Sequence, residues 1–425
     1  MADIGDANTA HLAQVIPMIR PIDVWFDERN ENGGLVRRLV FENVAGKYGP
    51  KAEFWWHISG PEQLPPLPVL DSLLVGPVLF AMMRGQDLVV HGAMSPGGLY
   101  NIGQLIEIRQ SLSPERYPRR IEIRPDTVTV PRRTAEGASF AIAALSGGLD
   151  STFTAVRHGR RLLGDASYHL RSLVMIRGFD AAPGQPDHFD EMRRRAEPLA
   201  SFLGLPLHTV ATNSKGDSST WPQSAIPLTA AALAHFSGLC DTGVVSAGVT
   251  SGSPRFSISH PAVLEALCSN DYFRVVTDGS GFGRTDKIEA LLPYPEALAG
   301  IKVCWEGPDP SRNCGRCNKC VVTRLNFLAA GIRDAPCFDS PIDLSHIADL
   351  HLPSMSSARD LFRFCWNEMA ERGITGPEMD LLTRRLSRVP PDKVAYWLGR
   401  VQRAVKRRLP QPLKRALRRV SAGLG

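Results

Sequence analysis

A short polar loop near the middle of the chain has the residue types and the order that bind phosphate. Its sequence is Ser146-Gly147-Gly148-Leu149-Asp150-Ser151. An apolar run precedes it and a stretch with helical periodicity follows it, so we expect a strand, a turn and the N-terminus of a helix. Backbone amides and the positive end of the helix dipole can converge on an anion there. The two glycines let the backbone approach a phosphate without a Cβ clash, and the two serine hydroxyls can donate hydrogen bonds.

The carboxylate of Asp150 indicates that a metal ion binds with the phosphate. A carboxylate beside bound phosphates would repel them unless a cation lay between, so its place in the loop favours Mg²⁺ bridging Asp150 and the phosphates of a nucleotide. The chain has no GxxxxGK followed by Ser or Thr, which excludes a Walker-type loop. The alternative, a tight turn of small residues without a ligand, leaves Asp150 unexplained.

Four of the eight cysteines are spaced as metal ligands. Cys314, Cys317 and Cys320 form a CxxCxxC run, and Cys304 precedes this run by ten residues. Four thiolates complete a closed tetrahedral zinc site, whose role would be structural because it has no open coordination position. An iron-sulfur cluster is the competing interpretation, although Arg324 occupies the fourth position of the bacterial ferredoxin run. Four unrelated free thiols are the third interpretation.

Two further stretches could line a nucleotide site. Gly279–Gly283 follows a predicted strand and could cover a triphosphate, with Arg284 or Lys287 compensating its charge; a flexible turn with solvated charges is the alternative. Arg177 and Asp180 follow another predicted strand, where an adenine or substrate pocket would lie, and loop charges in water are the alternative there.

The elements that must position these residues are strands and helices in alternation. Apolar runs predict strands at 140–145, 171–176, 205–211, 243–249 and 273–277, and amphipathic stretches predict helices at 151–163, 189–204 and 226–238. Strands rich in Val, Ile, Leu and Ala that alternate with helices are typical of a doubly wound parallel sheet, so the predicted fold class is α/β. Ligands of such sheets bind outside the carboxyl ends of the strands, which is where the first loop falls.

The chain divides into three predicted regions. Residues 1–138 are an α+β region of unknown role, 139–340 are the nucleotide-binding domain with the cysteine site, and 341–425 are a helical region with a basic tail. The polar stretch 131–139 is predicted to be a linker between the first two regions.

The composition is that of a globular protein, with 43% hydrophobic and 22% charged residues among 425. The net charge of +6 is concentrated in the tail, because the residues from Lys393 onward include ten Lys or Arg and no Asp or Glu. A solvated helical end, contact with nucleic acid and contact with an anionic membrane surface are the three interpretations. The acidic N-terminus and a longest apolar run of 12 residues indicate neither a signal peptide nor a membrane span, so we expect a cytoplasmic protein.

The loop in its strand-loop-helix context resembles the PP-loop of the N-type ATP pyrophosphatase superfamily, which includes GMP synthetase, NAD synthetase and the tRNA thiolation enzymes. The resemblance implies an adenine nucleotide alpha hydrolase-like PP-loop domain that cleaves ATP between its α and β phosphates. It also implies catalytic roles for Ser146, Asp150 and Ser151. The ATP-binding residues that it implies are Ser146, Gly147, Gly148, Leu149, Asp150, Ser151 and Thr152.

The cysteine spacing points to one family within this superfamily. A PP-loop followed roughly 150 residues later by a cysteine, a gap and CxxCxxC is similar to the 7-cyano-7-deazaguanine synthase (QueC) family, whose members hold zinc with four such cysteines. That family converts 7-carboxy-7-deazaguanine into the nitrile with ATP and ammonia. The resemblance implies Cys304, Cys314, Cys317 and Cys320 as zinc ligands. Its Ser-Lys-x-Glu stretch has only a loose counterpart in Arg284–Glu289, which leaves the substrate open.

The predicted function is that of an ATP-dependent carbon-nitrogen ligase with ATP, Mg²⁺ and Zn²⁺. It adenylates a carboxylate on a deazapurine and transfers the acyl group to ammonia or an amine that comes from outside, because no glutaminase signature is present. A tRNA-modifying enzyme whose basic tail holds RNA, and a non-catalytic nucleotide-binding subunit, are the alternatives. We expect a homo-oligomer or a subunit of a larger complex.

Overall fold

The chain has an α/β structure made of two compact units. The computed structural model describes residues 20–388 apart from 32, 47–48, 133–139, 182–183, 185, 217–220, 249–261, 305, 308, 310–311, 351 and 353–356. The first unit is Met1–Gly283 and the second is Arg284–Gly425. The boundary between the units falls inside the stretch 139–340, and the division of the sequence into three regions stays a prediction.

A sheet of ten strands organises the first unit. The strands are β1 (Ile22–Glu31), β2 (Gly34–Glu42), β3 (Lys51–Ser59), β4 (Leu88–Met94), β5 (Ile123–Val128), β6 (Ala141–Ala144), β7 (Leu170–Arg177), β8 (Leu207–Thr212), β9 (Thr242–Ser246) and β10 (Arg274–Asp278). The helices are α1 (Asp71–Leu74), α2 (Val78–Met82), α3 (Pro96–Leu112), α4 (Leu149–Gly159), α5 (Pro186–Leu203), α6 (Trp221–Ala234) and α7 (Ala262–Ala266).

The five strands predicted after residue 139 are all present as β6 to β10, and every ladder among them is parallel. Their short runs of Ala, Val, Ile and Leu are buried, as in Ile142, Val174 and Val244. Such apolar runs form strands here because both faces of the strand are shielded from water. The three helices predicted between them correspond to α4, α5 and α6.

The N-terminal strands continue this same sheet instead of forming one of their own. The strand order is β10-β9-β6-β7-β8-β3-β2-β1-β4-β5, and β3 joins β8 in an antiparallel ladder from Trp56 opposite Thr212 to Ser59 opposite Thr209. The sequence assigns these strands to a separate region because a strand pattern does not reveal its pairing partner. The sheet is mostly parallel, with antiparallel pairs at β1/β2, β2/β3 and β3/β8.

One apolar core spans both halves of the sheet. It joins Leu39 and Trp56 of the N-terminal strands to Ile142 and Val210 of the later strands and to the alanine-rich face of α6, and all of these residues are buried. The small side chains of α6 let that helix approach the sheet closely.

The second unit is helical. Its helices are α8 (Arg284–Leu291), α9 (Pro295–Gly300), α10 (Asn318–Ala329), α11 (Leu344–Ala348), α12 (Ser357–Glu371) and α13 (Pro377–Ser387). Val321 and Leu325 of α10 pack with Phe362 and Met369 of α12 and with Leu382 of α13. The basic tail and most of the predicted linker lie outside the described residues. Within the described part of the chain, no helix combines the length and apolarity needed to cross a bilayer.

Candidate functional site

The polar loop lies at the carboxyl end of β6 and leads directly into α4, as its sequence predicts. Gly148 is the residue before the first turn of α4 and has an extended conformation, with φ −77° and ψ 167°. Gly147 has φ +77°, a left-handed conformation that favours glycine. A Cβ built on Gly147 would meet no atom of the described residues within 4 Å, apart from its two chain neighbours. The loop therefore presents an open edge of backbone at the end of the strand.

Hydrogen bonds within the loop hold this conformation. The Ser151 hydroxyl donates to the Gly148 carbonyl at 3.1 Å and accepts from the Ser146 amide at 3.1 Å. The two serine hydroxyls are 3.0 Å apart, and the Gly148 amide donates to the Ser146 hydroxyl at 3.3 Å. Ser151 and Thr152 are buried, whereas Ser146 is exposed. The Ser151 side chain thus shapes the loop, and the Ser146 hydroxyl is the one that a ligand can reach.

The loop borders a cavity of about 350 Å³. The carboxyl ends of β6, β7 and β9 form its floor, and α5 and α6 form walls. The apolar lining includes Phe179, Phe189, Met192, Trp221, Ile226 and Val245. A concave, mostly apolar site of this size with a few polar groups is typical of small-molecule pockets.

Two aromatic rings form one wall of this cavity. The rings of Phe179 and Trp221 are 4.9 Å apart, and the Lys215 ammonium lies 4.7 Å from the Trp221 ring centre and donates to the Phe179 carbonyl. Gly178 makes this turn possible, because it has φ +119° and a Cβ there would lie 1.9 Å from the Thr212 carbonyl oxygen. A larger residue would push the segment after β7 away from β8.

Only some of the predicted site residues line the cavity. Ser146, Ser151 and Asp180 line the cavity, whereas Arg177 and Gly279–Gly283 are not among its lining residues. Instead, Phe282 of the glycine-rich segment contacts α4. Asp150 is half-buried in the first turn of α4, beside the cavity and not among its lining residues. Its role with Mg²⁺ stays a prediction.

Asp278, which the sequence does not single out, anchors α4 to the sheet. Its carboxylate accepts from the Arg157 guanidinium at 2.8 Å and from the Thr154 hydroxyl at 2.9 Å, and His158 Nε2 lies 3.4 Å away. Burial raises the pKa of the Asp278 carboxyl, but the neighbouring His158 ring, the hydrogen bond from Thr154 and the charge of Arg157 outweigh burial and leave that pKa below its usual value. The helix that carries the loop is thereby fixed against the end of β10.

Glu265 of α7 is the second residue that the sequence does not single out. It lines the cavity and is only 8% exposed. Burial raises the pKa of its carboxyl, and the neighbouring Thr277 hydroxyl offsets this in part. An acidic residue inside the apolar stretch Ala262–Cys268 is the signal that could have identified it.

The four predicted cysteines meet in the second unit. Their sulfur atoms all lie within 4.8 Å of one another, with 3.9 Å between Cys314 and Cys320 and 3.8 Å between Cys317 and Cys304. Tetrahedral zinc with bonds of about 2.3 Å holds its sulfurs about 3.8 Å apart. The cluster could therefore hold a metal ion such as zinc, and its donor set fits a closed site.

Neighbouring groups hold the cysteines in place. The buried Asn313 side chain accepts from the amides of Val303 and Cys304 at 2.9 and 3.1 Å and donates to the carbonyls of Ile301 and Cys337, each at 2.9 Å. This one amide thus ties the segment of the first cysteine to the CxxCxxC turn. Sequence reasoning missed Asn313, although it lies next to the motif.

The thiolate form is favoured at Cys317, whereas burial raises the pKa of the Cys314 thiol. Cys317 precedes the first residue of α10, where the helix dipole stabilises an anion. A hydrogen bond from the Cys320 thiol lowers the pKa of Cys317 to about 5, and the same pairing raises the pKa of Cys320. One sulfur therefore already favours the thiolate form that a metal ion requires.

No protein-family model, no curated protein and no solved structure matches this chain.

Proposed function

We propose that the chain is a PP-loop enzyme that uses ATP to adenylate a carboxylate and then transfers the acyl group to ammonia or an amine. The observation that carries the proposal is the open backbone edge of the Ser146–Ser151 loop, located at the end of β6 and beside a largely apolar cavity. Phosphates would contact the amides at the start of α4, and a base would occupy the aromatic wall.

The topology of the later strands supports a doubly wound arrangement. Within β8-β7-β6-β9-β10, chain order runs outward in both directions from β6. Strand order reverses at β6, and ligands of open α/β sheets bind at such a switch point. The loop after β6 lies at this point, which supports a ligand site there.

In the proposed reaction, an oxygen of the substrate carboxylate attacks the α-phosphorus of ATP. The bond from that phosphorus to the oxygen bridging to the β-phosphate breaks, and pyrophosphate leaves with the electron pair. Ammonia or an amine then attacks the acyl carbon, gives up a proton and displaces AMP. The loop amides and the Ser146 hydroxyl would stabilise the departing pyrophosphate. Asp150 would hold Mg²⁺, which neutralises phosphate charge when bound.

The cysteine cluster has a structural role in this proposal. Cys304, Cys314, Cys317 and Cys320 would hold zinc in a closed site, which leaves no position for a substrate or for water. Their contribution is to the folding of the second unit, because α10 begins at the cluster and continues into that unit's apolar core.

The test is incubation with ATP, Mg²⁺ and 7-carboxy-7-deazaguanine, with and without ammonia, followed by mass spectrometry of nucleotide and base products. We expect AMP, pyrophosphate and the amide from the wild type. The nitrile should form only if a second ATP adenylates the amide oxygen, which then leaves with AMP while the nitrogen gives up its two protons. Asp150→Ala should lose at least about 100-fold in rate. Asp165→Ala, which removes an exposed carboxylate just after α4, should not change the rate. ADP and orthophosphate as products would contradict the proposal, and nucleotide binding without turnover would favour the non-catalytic subunit.

The basic tail favours one second candidate, a tRNA-modifying enzyme with the same ATP chemistry. Ten Lys or Arg without an acidic residue from Lys393 onward would bind a phosphate backbone. In that case tRNA binding should weaken steeply with salt, and truncation before Lys393 should abolish it. Binding of tRNA that survives the truncation would argue against the tail as the RNA contact.

A further inference from the structure

Arg324 is a buried arginine one helical turn after the last cysteine of the CxxCxxC run. It lies on α10 four residues after Cys320, so the two side chains share one face of the helix. Only 5% of Arg324 is exposed. A buried guanidinium is costly unless a negative group close by compensates its charge. The surroundings of Arg324 are therefore the place to look for such a group.

The protein holds this guanidinium against the cysteine turn. A Cβ built on Gly315 would lie 2.7 Å from Nη2 and 3.3 Å from Cζ of Arg324, so the guanidinium fills the space that a side chain next to Cys314 would take. Nη1 of Arg324 donates to the Ser340 carbonyl at 2.6 Å, and Cζ lies 4.2 Å from the centre of the Phe338 ring. A carbonyl and an aromatic ring fix the position of the guanidinium, but neither carries a formal charge that would neutralise it.

The nearby carboxylate of Asp339 is poorly placed for this task. It pairs with Arg312 at 3.3 Å, and both of these side chains are more than half exposed. Water screens an exposed carboxylate, so Asp339 compensates a buried charge only weakly. Nε of Arg324 has no hydrogen-bond acceptor among the described residues. The positive charge of Arg324 is thus left for the cysteine cluster.

The cysteine cluster has the matching need once it holds a metal ion. Four thiolates and one divalent ion leave two negative charges uncompensated. Cys304 and Cys320 are buried, so water cannot fully screen those charges. Burial lowers the pKa of the Arg324 guanidinium, and the sulfurs of Cys320, Cys337 and Cys314 offset this in part. The cluster and the arginine therefore compensate each other.

We propose that Arg324 is the counter-charge of the metal site, a positioning residue whose buried guanidinium neutralises one of the two negative charges that remain on four thiolates and a divalent ion. Arg324 is not a ligand, because a protonated guanidinium has no lone pair to give to a metal. The inference rests on the metal part of the proposed function and is independent of its ATP chemistry. It also explains Gly315, since any larger residue there would displace the guanidinium.

The test measures the zinc affinity of the full chain by competition with a chromophoric chelator. Arg324→Met removes the charge but keeps an apolar chain beside Phe338, and it should weaken zinc binding about 10- to 100-fold. Arg324→Lys keeps the charge but loses the planar group that bonds to Ser340, and it should stay within about 10-fold of the wild type and bind zinc more tightly than Arg324→Met. A merely structural arginine would give equal losses in the two variants, because both lack the planar group.

Arg316→Met is the matched control, because it removes an exposed arginine from the same run, between Cys314 and Cys317. It should change zinc affinity by less than about 3-fold, since water screens an exposed charge. Full zinc affinity in Arg324→Met, or equal losses in the Met and Lys variants, would overturn the inference. If Arg324→Met does not fold, the Lys variant decides alone, and a loss greater than about 10-fold there would overturn the inference. A wild type that binds no zinc would instead contradict the metal part of the proposed function.

Discussion

Replacing Gly147 by alanine separates the binding role of the loop from its stability. At φ +77° an alanine costs about 1 to 2 kcal/mol relative to glycine, because its Cβ approaches the following carbonyl. Among the described residues, nothing else opposes the new methyl group, since no atom beyond its two chain neighbours lies within 4 Å of its position. The free energy of unfolding should therefore fall by that amount and no more.

Gly164→Ala provides the matched control. Gly164 has φ +57°, and in the part of the chain that the structure describes a Cβ built on it would also meet only its chain neighbours within 4 Å, but it lies beyond the far end of α4. Both variants should lose about 1 to 2 kcal/mol in urea unfolding. Only Gly147→Ala places a methyl group where a phosphate would contact the backbone.

The ATP dissociation constant measured by calorimetry distinguishes the two variants. Gly147→Ala should weaken ATP binding at least about 10-fold, which corresponds to about 1.4 kcal/mol. Gly164→Ala should bind ATP like the wild type. If both variants bind ATP equally well while showing the expected loss of stability, the loop does not contact the phosphates and the reasoning about its open edge is wrong.

Two further predictions concern the metal and pH. The wild type should contain about one zinc per chain by elemental mass spectrometry. Cys317→Ser should lose the zinc together with stability, whereas Cys268→Ala, outside the cluster, should keep it. A stable wild type without metal would contradict this prediction. Burial and the charge of Arg37 hold the pKa of the fully buried His235 well below 6.5, so only the unfolded chain takes up its proton as the pH falls below that value. Because of His235, the free energy of unfolding should therefore decrease by up to about 1.4 kcal/mol for each pH unit below 6.5. Urea titrations from pH 7 to 5 should show this slope reduced in His235→Phe, and an unchanged slope would show that another group is responsible.

The local features of the site could be predicted because they are encoded by neighbouring residues. The apolar run before Leu145, the two glycines and the helical period after Leu149 all lie within one short segment, and the structure shows a strand, a turn and α4 there. The cysteines were likewise recognisable, because the CxxCxxC spacing places three sulfurs in one turn and leaves only Cys304 to be brought in by the fold.

The supporting groups could not be predicted, because each acts on residues far away in the chain. Asp278 holds Arg157 across 121 residues, and Glu265 belongs to the cavity only because α7 packs near β10. Such contacts depend on the sheet order, and no periodicity reveals that order. Asn313 is a different case, since it lies next to Cys314 in the sequence, but the sequence does not show that its side chain is buried and bonded to Ile301 and Cys337.

The N-terminal strands help to stabilise the part of the sheet that carries the loop. Without β3, strand β8 would be an edge of the parallel sheet. An edge strand presents unpaired amides and carbonyls to the solvent, and these promote aggregation. The same strands supply Trp56 and Leu39 to the core that buries Ile142 of β6, the strand that ends at the loop. Removing the first 139 residues would therefore uncover both the edge of β8 and one side of this core. The N-terminal region is thus a structural part of the sheet that presents the site, and a shortened chain should aggregate even though it retains the loop and all four cysteines.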